Sequence, residues 1–362
     1  MLDALVAGAG PAGSAAALLL ARAGKTVRIF ERSAFPRTKA CGEYLSAAAV
    51  RQLYVLGVGA QLAARARPVR GVRLHGHGVH VRIDFPQPGW SLPRSVLDET
   101  LLDAAVSEGA QVMHARVEGV AHGHRSVHAA LRLPDGTAAQ VQGRVMLGAD
   151  GMHSIVARKC GMAGRPRGGS RFALGGHYRG LRALDEYIDM FVDAGTYVAV
   201  NPLAGDAANV MLVVPESELQ RHRDDAGAFA QERVRSLAGS LLAGAQLENK
   251  RIAIGPLSYR AHSLARERVA LAGDAACFVD PFTGQGVYLA LRCGQLAAEC
   301  ILSGTLRAYE RRARHEISAR ERAARSAARI IGSPLLARGG AALIERAPWV
   351  MGPLLRAVTG AA

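Results

Sequence analysis

The feature that most constrains this chain is a glycine pattern in its first fifteen residues. Asp3 to Gly8 read as a short buried strand, Pro11 to Ala23 as an alanine-rich helix, and Thr26 to Glu31 as a second strand carrying the β-branched Val27 and Ile29. Where the first strand turns into the helix, Gly8, Gly10 and Gly13 form G-x-G-x-x-G, with Pro11 and Ala12 between the last two glycines. Each glycine of such a βαβ unit meets a separate demand: a tight turn at Gly8, backbone approach to a pyrophosphate at Gly10, and close helix-to-strand packing at Gly13. The helix N-terminus then faces the anion. Glu31, ending the next strand eighteen positions past Gly13, is placed to accept hydrogen bonds from an adenosine ribose, with Arg32 beside the adenine or a phosphate. The pattern predicts an adenine dinucleotide site in an α/β domain and does not by itself separate NAD from FAD.

The rest of the composition narrows the class. A chain of 362 residues accommodates two domains or one large α/β unit with an insertion. Aromatic residues make up 5%, which argues against stacking platforms for single strands, so no nucleic-acid partner is expected. The net charge of +15 is almost wholly arginine, with lysine only at Lys25, Lys39, Lys159 and Lys250, and it reads as compositional bias rather than a polyanion site. Cys41, Cys160, Cys277, Cys293 and Cys300 form no C-x-x-C pair, so no metal site is expected and a cytoplasmic setting fits best. The apolar N-terminus lacks the basic segment of a secretory signal, and no uncharged apolar run reaches the roughly 18 residues that span a bilayer.

Two later strands also end in small or acidic residues. Arg144 to Ala149 lead into Asp150-Gly151, followed by Ser154 and a helix-like IVARKCG, so the segment reads GADGxxS. Val269 to Ala272 lead into Gly273-Asp274, then AACFVDPFTGQG and a helix from Val287 to about Leu302. Ligands bind at the carboxyl ends of strands in an open α/β sheet, so three such ends can converge on one extended cofactor.

With these motifs in this order, the chain resembles the flavoprotein superfamily of para-hydroxybenzoate hydroxylase, geranylgeranyl reductases and flavin-dependent halogenases over roughly residues 1 to 305. The stretch WSLPRSVLDETLLDAA adds that family's Arg-x-x-x-Asp-x-x-Leu helix. The resemblance implies a Rossmann-like FAD-binding domain, an interleaved antiparallel-sheet substrate domain and a helical C-terminal cap. It implies FAD held along its length, with NADPH or NADH visiting transiently. Gly8, Gly10, Pro11, Ala12, Gly13, Glu31 and Arg32 would hold the ADP half, Arg94 would reach toward the cofactor, and Gly273 and Asp274 would meet the ribityl chain or pyrophosphate. Pro281, Gly284, Gln285 and Gly286 would lie against the flavin ring, with Cys41 and Gly42 passing nearby. Asp150 has two readings, a helix cap or an FAD contact. Cys41 has three: a pocket wall, an inert buried thiol, or a redox thiol.

The segment FPRTKACGEYLSAAAV matches the Lys-x-Cys-Gly core of prenyl reductases and halogenases at Lys39, Cys41 and Gly42, with Glu43 closer to halogenases. From Arg171 to Pro256 apolar and polar residues alternate, which predicts antiparallel strands of a substrate sheet. There the prenyl-reductase signature Tyr-x-Trp-x-Phe-Pro is reduced to Tyr197, Ala199, Asn201 and Pro202. That loss favours NAD(P)H-dependent monooxygenation of an aromatic or polyketide-like molecule through a flavin hydroperoxide over reduction of an isoprenoid alkene, with halogenation third. Cys41, His177, Tyr197 and Asn201 are the catalytic or substrate-contacting candidates, joined by Tyr178 and His262. The expected division is 1–70, 92–170 and 257–305 for FAD, 71–91 and 171–256 for substrate, and 306–362 for the cap. The cap begins with a helical pattern holding eight arginines between Arg307 and Arg329, which makes it a candidate for peripheral contact with an anionic membrane.

Overall fold

The glycine-patterned unit folds as two parallel strands, Leu2–Ala7 and Val27–Glu31, joined by the helix Pro11–Arg22. The computed structural model describes residues 1–164, 171–182, 184–249, 251–278 and 281–333. Leu5, Val6, Ile29 and Phe30 are all buried, because helices cover one face of this sheet and further strands cover the other. Ala138–Gly148 pairs in parallel with Leu2–Ala7, Val269–Leu271 pairs in parallel beyond it, and Gln111–His114 extends the opposite edge beside Val27–Glu31. Parallel strands end on the same side. Gly8, Glu31, Asp150 and Gly273 therefore leave the sheet at one edge, as the three strand-end motifs require.

The alanines of Pro11–Arg22 bring it close to two other helices, Arg94–Ser107 and Gly286–Leu302, which flank it on the sheet. A long helix, Leu306–Gly332, buries Tyr309, Ala313, Ile317 and Ala324 along one stripe and packs on Gly286–Leu302. The Tyr309 hydroxyl donates to the Leu271 carbonyl at 2.7 Å, fastening this helix to the parallel sheet. Its arginines are partly neutralised: Arg312 pairs with Glu299, Arg314 with Glu310, Arg320 with Glu316 and Arg325 with Glu321. Residues 334–362 of the expected cap lie outside the described residues. No described helix is long and apolar enough to cross a membrane.

A second sheet of nine strands runs Gln246–Leu247, Arg171–Arg179, Ala208–Pro215, Thr196–Pro202, Tyr187–Asp193, Arg67–Gly76, Val79–Ser91 and Tyr44–Leu45, with Ile252–Ile254 also on Arg171–Arg179. Two departures from the sequence reading stand out. Tyr187–Asp193 pairs in parallel with Arg67–Gly76, because these strands belong to separate passages of the chain and no hairpin joins them. Between Pro215 and Gln246 the chain forms the helices Glu216–Arg221 and Ala226–Ala238 instead of more strands. Asp225 caps the second through its Oδ1, which accepts the Ala228 N–H at 3.2 Å. Phe229, Ala230, Val234 and Ala238 then bury the outer face of the sheet together with Val198, Val210 and Leu212. Side chains alternate along strands, so Ile188, Met190, Tyr197, Met211 and Val213 cluster on the other face.

Candidate cofactor and substrate cavity

A cavity of about 1090 Å³ runs from the carboxyl ends of the parallel strands to the inner face of the second sheet. At its first end Gly8 has φ +92°, and a Cβ there would overlap the Ala149 carbonyl, so only glycine makes this turn. Gly13 does not line the cavity. Its Cα lies so close to the Gly8 carbonyl that a side chain would overlap it, which is the helix-to-strand packing expected of the third glycine. Gly10 differs from both. A Cβ at Gly10 would meet only the Arg37 guanidinium, at 3.5 Å, and would otherwise project into the space that Gly10, Pro11 and Ala12 line.

Glu31 is 5% exposed and lines the same end. Its Oε2 accepts the Ala9 N–H at 2.9 Å and its Oε1 the Ser33 N–H at 2.9 Å, so the carboxylate shapes the glycine turn as well as facing the cavity. Arg37 pairs with Glu31 at 3.1 Å and with Asp98 at 3.4 Å, and Asp98 accepts from the Arg94 Nε and NH2 at 2.8 and 2.9 Å. This Glu31–Arg37–Asp98–Arg94 chain borders the cavity, where Arg32, Lys39 and Asp274 also face it. The sequence reading assigned nothing to Arg37, although it lies in the quoted FPRTKACG stretch. Burial pushes the Asp274 carboxyl up and the Lys39 ammonium down, the latter reinforced by the neighbouring Arg37 charge.

Asp150 caps a helix and also lines the cavity. Its Oδ2 accepts the N–H groups of Ile155 and Val156 at 2.7 and 3.2 Å, capping the helix Ile155–Lys159. Its Oδ1 is buried at the cavity with no hydrogen-bond partner among the described residues, and burial raises the carboxyl above its ordinary value. Such an oxygen calls for a donor that the chain does not supply.

At the far end the turn Pro281–Thr283 leads through Gly284 into the 17-residue helix that begins at Gly286. Pro281, Gly284 and Gly286 line the cavity, whereas Gln285 is turned inward, its Nε2 donating to the Thr283 carbonyl at 3.4 Å. The Gln285 side chain is thus not part of the cavity wall. Val279 and Asp280 of the same motif lie outside the described residues. Cys41 and Gly42 form the adjoining wall. Burial pushes the Cys41 thiol up despite the opposing Glu43 N–H that its Sγ accepts at 3.3 Å, which suits a wall rather than a redox thiol.

The remaining candidates divide. Tyr197 lines the cavity with its ring edge-on to Phe282 at 5.4 Å. Asn201 also lines it, but its Nδ2 donates to the Gly42 carbonyl and the Ser91 hydroxyl, both at 2.9 Å, so the amide pins the Cys41–Gly42 turn to the sheet. His177 does not line the cavity. It shares a sheet face with the cavity-lining Ala173, but its Nε2 meets the Glu43 carboxylate at 2.7 Å instead of the cavity. Tyr178 is buried in the outer core, where its hydroxyl accepts from Arg251 at 3.3 Å, and His262 bonds the Gly161 carbonyl at 2.6 Å, so neither reaches the cavity.

The second sheet supplies an aliphatic wall: Val72, Leu74, Val81, Ile83, Ile188 and Met190 line the cavity from three adjacent strands. Tyr44, whose phenol burial keeps protonated, lies between this wall and Gly284. An open cradle at Gly10, an unpartnered Asp150 oxygen, flanking cations and a helix N-terminus at the far end together fit a long dinucleotide with an anionic middle and an electron-accepting ring.

Comparison with known proteins agrees with this fit. Residues 1–328 match the family described as FAD binding domain. A menaquinone reductase of Mycolicibacterium smegmatis is 31% identical over 327 residues, covering 85% of this chain and 78% of that protein. Digeranylgeranylglycerophospholipid reductase 1 of Methanopyrus kandleri is 30% identical over 308 residues, covering 82% and 79%. Among solved structures, a flavin-dependent brominase superposes with a TM-score of 0.87 at 23% identity, covering 99% of this chain and 93% of that one, a likeness of fold.

Proposed function

The chain belongs to the FAD binding domain family and is an FAD-dependent oxidoreductase, and from that premise we propose that it reduces a double bond in an isoprenoid-type chain of a lipophilic substrate. The observation that carries this reading is the aliphatic wall. A hydrocarbon chain gains about 25 cal/mol for each Å² it hides from water, whereas an oxygen-rich polyketide would leave its polar groups unpaired against Val72, Ile83, Ile188 and Met190. Both reductase relatives are named for molecules that carry polyprenyl chains. The proposal reverses the order favoured by the sequence alone.

Bound FAD supplies hydride transfer, taking two electrons from NADPH or NADH and passing them to the substrate. Glu31 and Arg32 would hold the adenosine, while Gly10 and the N-terminus of Pro11–Arg22 would take the pyrophosphate, with Arg37 beside them. Asp150 and Asp274 would accept hydroxyls of the cofactor's middle. The N-terminus of Gly286–Leu302 would stabilise the negative charge that the ring gains on reduction, by about 0.3–1 kcal/mol and more when partly buried. Cys41, Gly42 and Tyr197, which line the cavity, would exclude water from the ring. Tyr44 Oη holds a proton at the same end of the cavity, since burial disfavours its phenolate.

Monooxygenation is favoured by one observation: Ala199 and Asn201 stand where prenyl reductases carry bulky aromatics. Anaerobic turnover with NADPH and menaquinone or a polyprenyl lipid, beside aerobic turnover with phenolic substrates under labelled oxygen, separates the two. A product two hydrogens richer, formed without oxygen, is expected. Labelled oxygen in the product, with no anaerobic reduction, would overturn the reductase reading.

A further inference from the structure

Glu43 follows the Cys41–Gly42 wall and is 2% exposed. It is one of four described non-glycine residues with positive φ, at +56°, a conformation that L side chains rarely adopt. Something must hold it there. Its Oε1 accepts the Arg94 backbone N–H at 2.8 Å, at the first turn of Arg94–Ser107. Its Oε2 accepts from Asn209 Nδ2 at 3.1 Å and meets His177 Nε2 at 2.7 Å. His177 and Asn209 are direct partners on neighbouring strands of the second sheet. Its own carbonyl accepts the Leu92 N–H at 3.0 Å. One buried carboxylate thus ties the helix that carries Arg94 to the sheet that carries the substrate wall, through the turn that carries Cys41.

We propose that Glu43 is a positioning residue for FAD: it sets the Cys41–Gly42 turn and Arg94 against the cofactor by joining the helix that carries Arg94 to the second sheet at that turn. A carboxylate suits this task because it offers two acceptor oxygens to three donors and lies at a helix N-terminus, where negative charge is stabilised. An amide of equal size offers one acceptor oxygen and brings its own donors, so it keeps all three contacts only if Asn209 turns its oxygen inward and His177 gives up its proton. His177 in turn faces Glu43, Glu248 and Arg179, and its protonation strengthens the contact with Glu43. The proposal rests on the cavity's holding FAD and is independent of whether the substrate is an alkene.

Its test uses the full-length apoprotein titrated with FAD, read by flavin fluorescence and by the absorption bands of the bound flavin, with thermal unfolding of the apoprotein alongside. Glu43→Gln is expected to raise the FAD Kd about tenfold, equivalent to roughly 1.4 kcal/mol, and to shift the bound-flavin bands. Val198→Ala, in the core on the far face of the second sheet, serves as a control for general loosening. It should lower the melting temperature without shifting those bands. His177→Gln should bind FAD with a Kd that no longer changes between about pH 6 and pH 8, where the parent's rises as the histidine loses its proton. If Glu43→Gln does not fold, Asn209→Ala, which removes one donor, carries the same expectation at about threefold in Kd. Parental Kd and bands in Glu43→Gln overturn the proposal. So does a Kd change that tracks the melting temperature along the same line as Val198→Ala with no band shift, since that marks a merely structural residue.

Discussion

One edge of the Tyr44 ring lies against Gly284, so close that a Cβ on Gly284 would overlap its Cδ1. Gly284 also has φ +64°, so alanine there meets both backbone strain and a ring that cannot retreat, because Gly89 crowds the ring's other edge. Gly284→Ala is expected to cost about 1–3 kcal/mol and to reduce bound FAD. Thermal unfolding and flavin content of the purified protein check this. Adding Tyr44→Ala should restore part of the flavin but not the backbone cost.

Gly10→Val should separate folding from binding. Its Cβ meets only the end of the Arg37 side chain, so the apoprotein should melt within a few degrees of the parent. The added isopropyl group fills the cradle, and FAD affinity should fall at least about a hundredfold, or roughly 2.7 kcal/mol. Equilibrium dialysis of FAD against both apoproteins gives the comparison.

Asp274→Asn should stabilise the apoprotein while weakening the cofactor. Burial raises the Asp274 carboxyl in the folded chain, so its favourable contribution exists below the unfolded value of 3.8 and is lost as pH rises through the higher folded value. Near neutral pH the ionised group is a liability that asparagine removes. The variant's apoprotein should therefore melt above the parent at about pH 7 and converge with it near pH 4. Its FAD affinity should fall by about tenfold for one lost charged hydrogen bond.

His177 titrates in the opposite setting. The Glu43 carboxylate raises it above 6.5, so the stability it adds is complete below that value and disappears as pH rises through the raised one. His177→Gln should flatten the alkaline side of the melting-temperature profile between about pH 7 and pH 8. An unchanged slope would detach His177 from Glu43.

The cofactor half of this site was legible because its information is local. Gly8, Gly10 and Gly13 sit in one turn, and the strand ends at Asp150 and Asp274 announce themselves by acids after apolar runs. Contacts between distant segments were not legible. Arg37 meets Asp98 across 61 positions and His177 meets Glu43 across 134, and no spacing rule links residues that tertiary folding brings together from such distant segments. His177 therefore read as a substrate contact when its strand position alone was known. The helix Ala226–Ala238 had a signal, the cap Asp225 followed by apolar Phe229, Val234 and Ala238, but alternation in the neighbouring strands masked it.

The aliphatic wall and the cofactor turns draw on different parts of the chain's geometry, and this bears on how such a protein diversifies. Gly8 and Gly284, on the cofactor side of the cavity, sit on turns whose positive φ and close neighbours admit only glycine. The wall instead consists of alternate positions on Arg67–Gly76, Val79–Ser91 and Tyr187–Asp193, whose backbone hydrogen bonds are indifferent to the side chain displayed. Trading Ile188 or Met190 for a larger or smaller residue reshapes the substrate space without touching a glycine turn. Variation in substrate among descendants of this fold can thus accumulate on one tolerant surface while the redox apparatus is inherited intact.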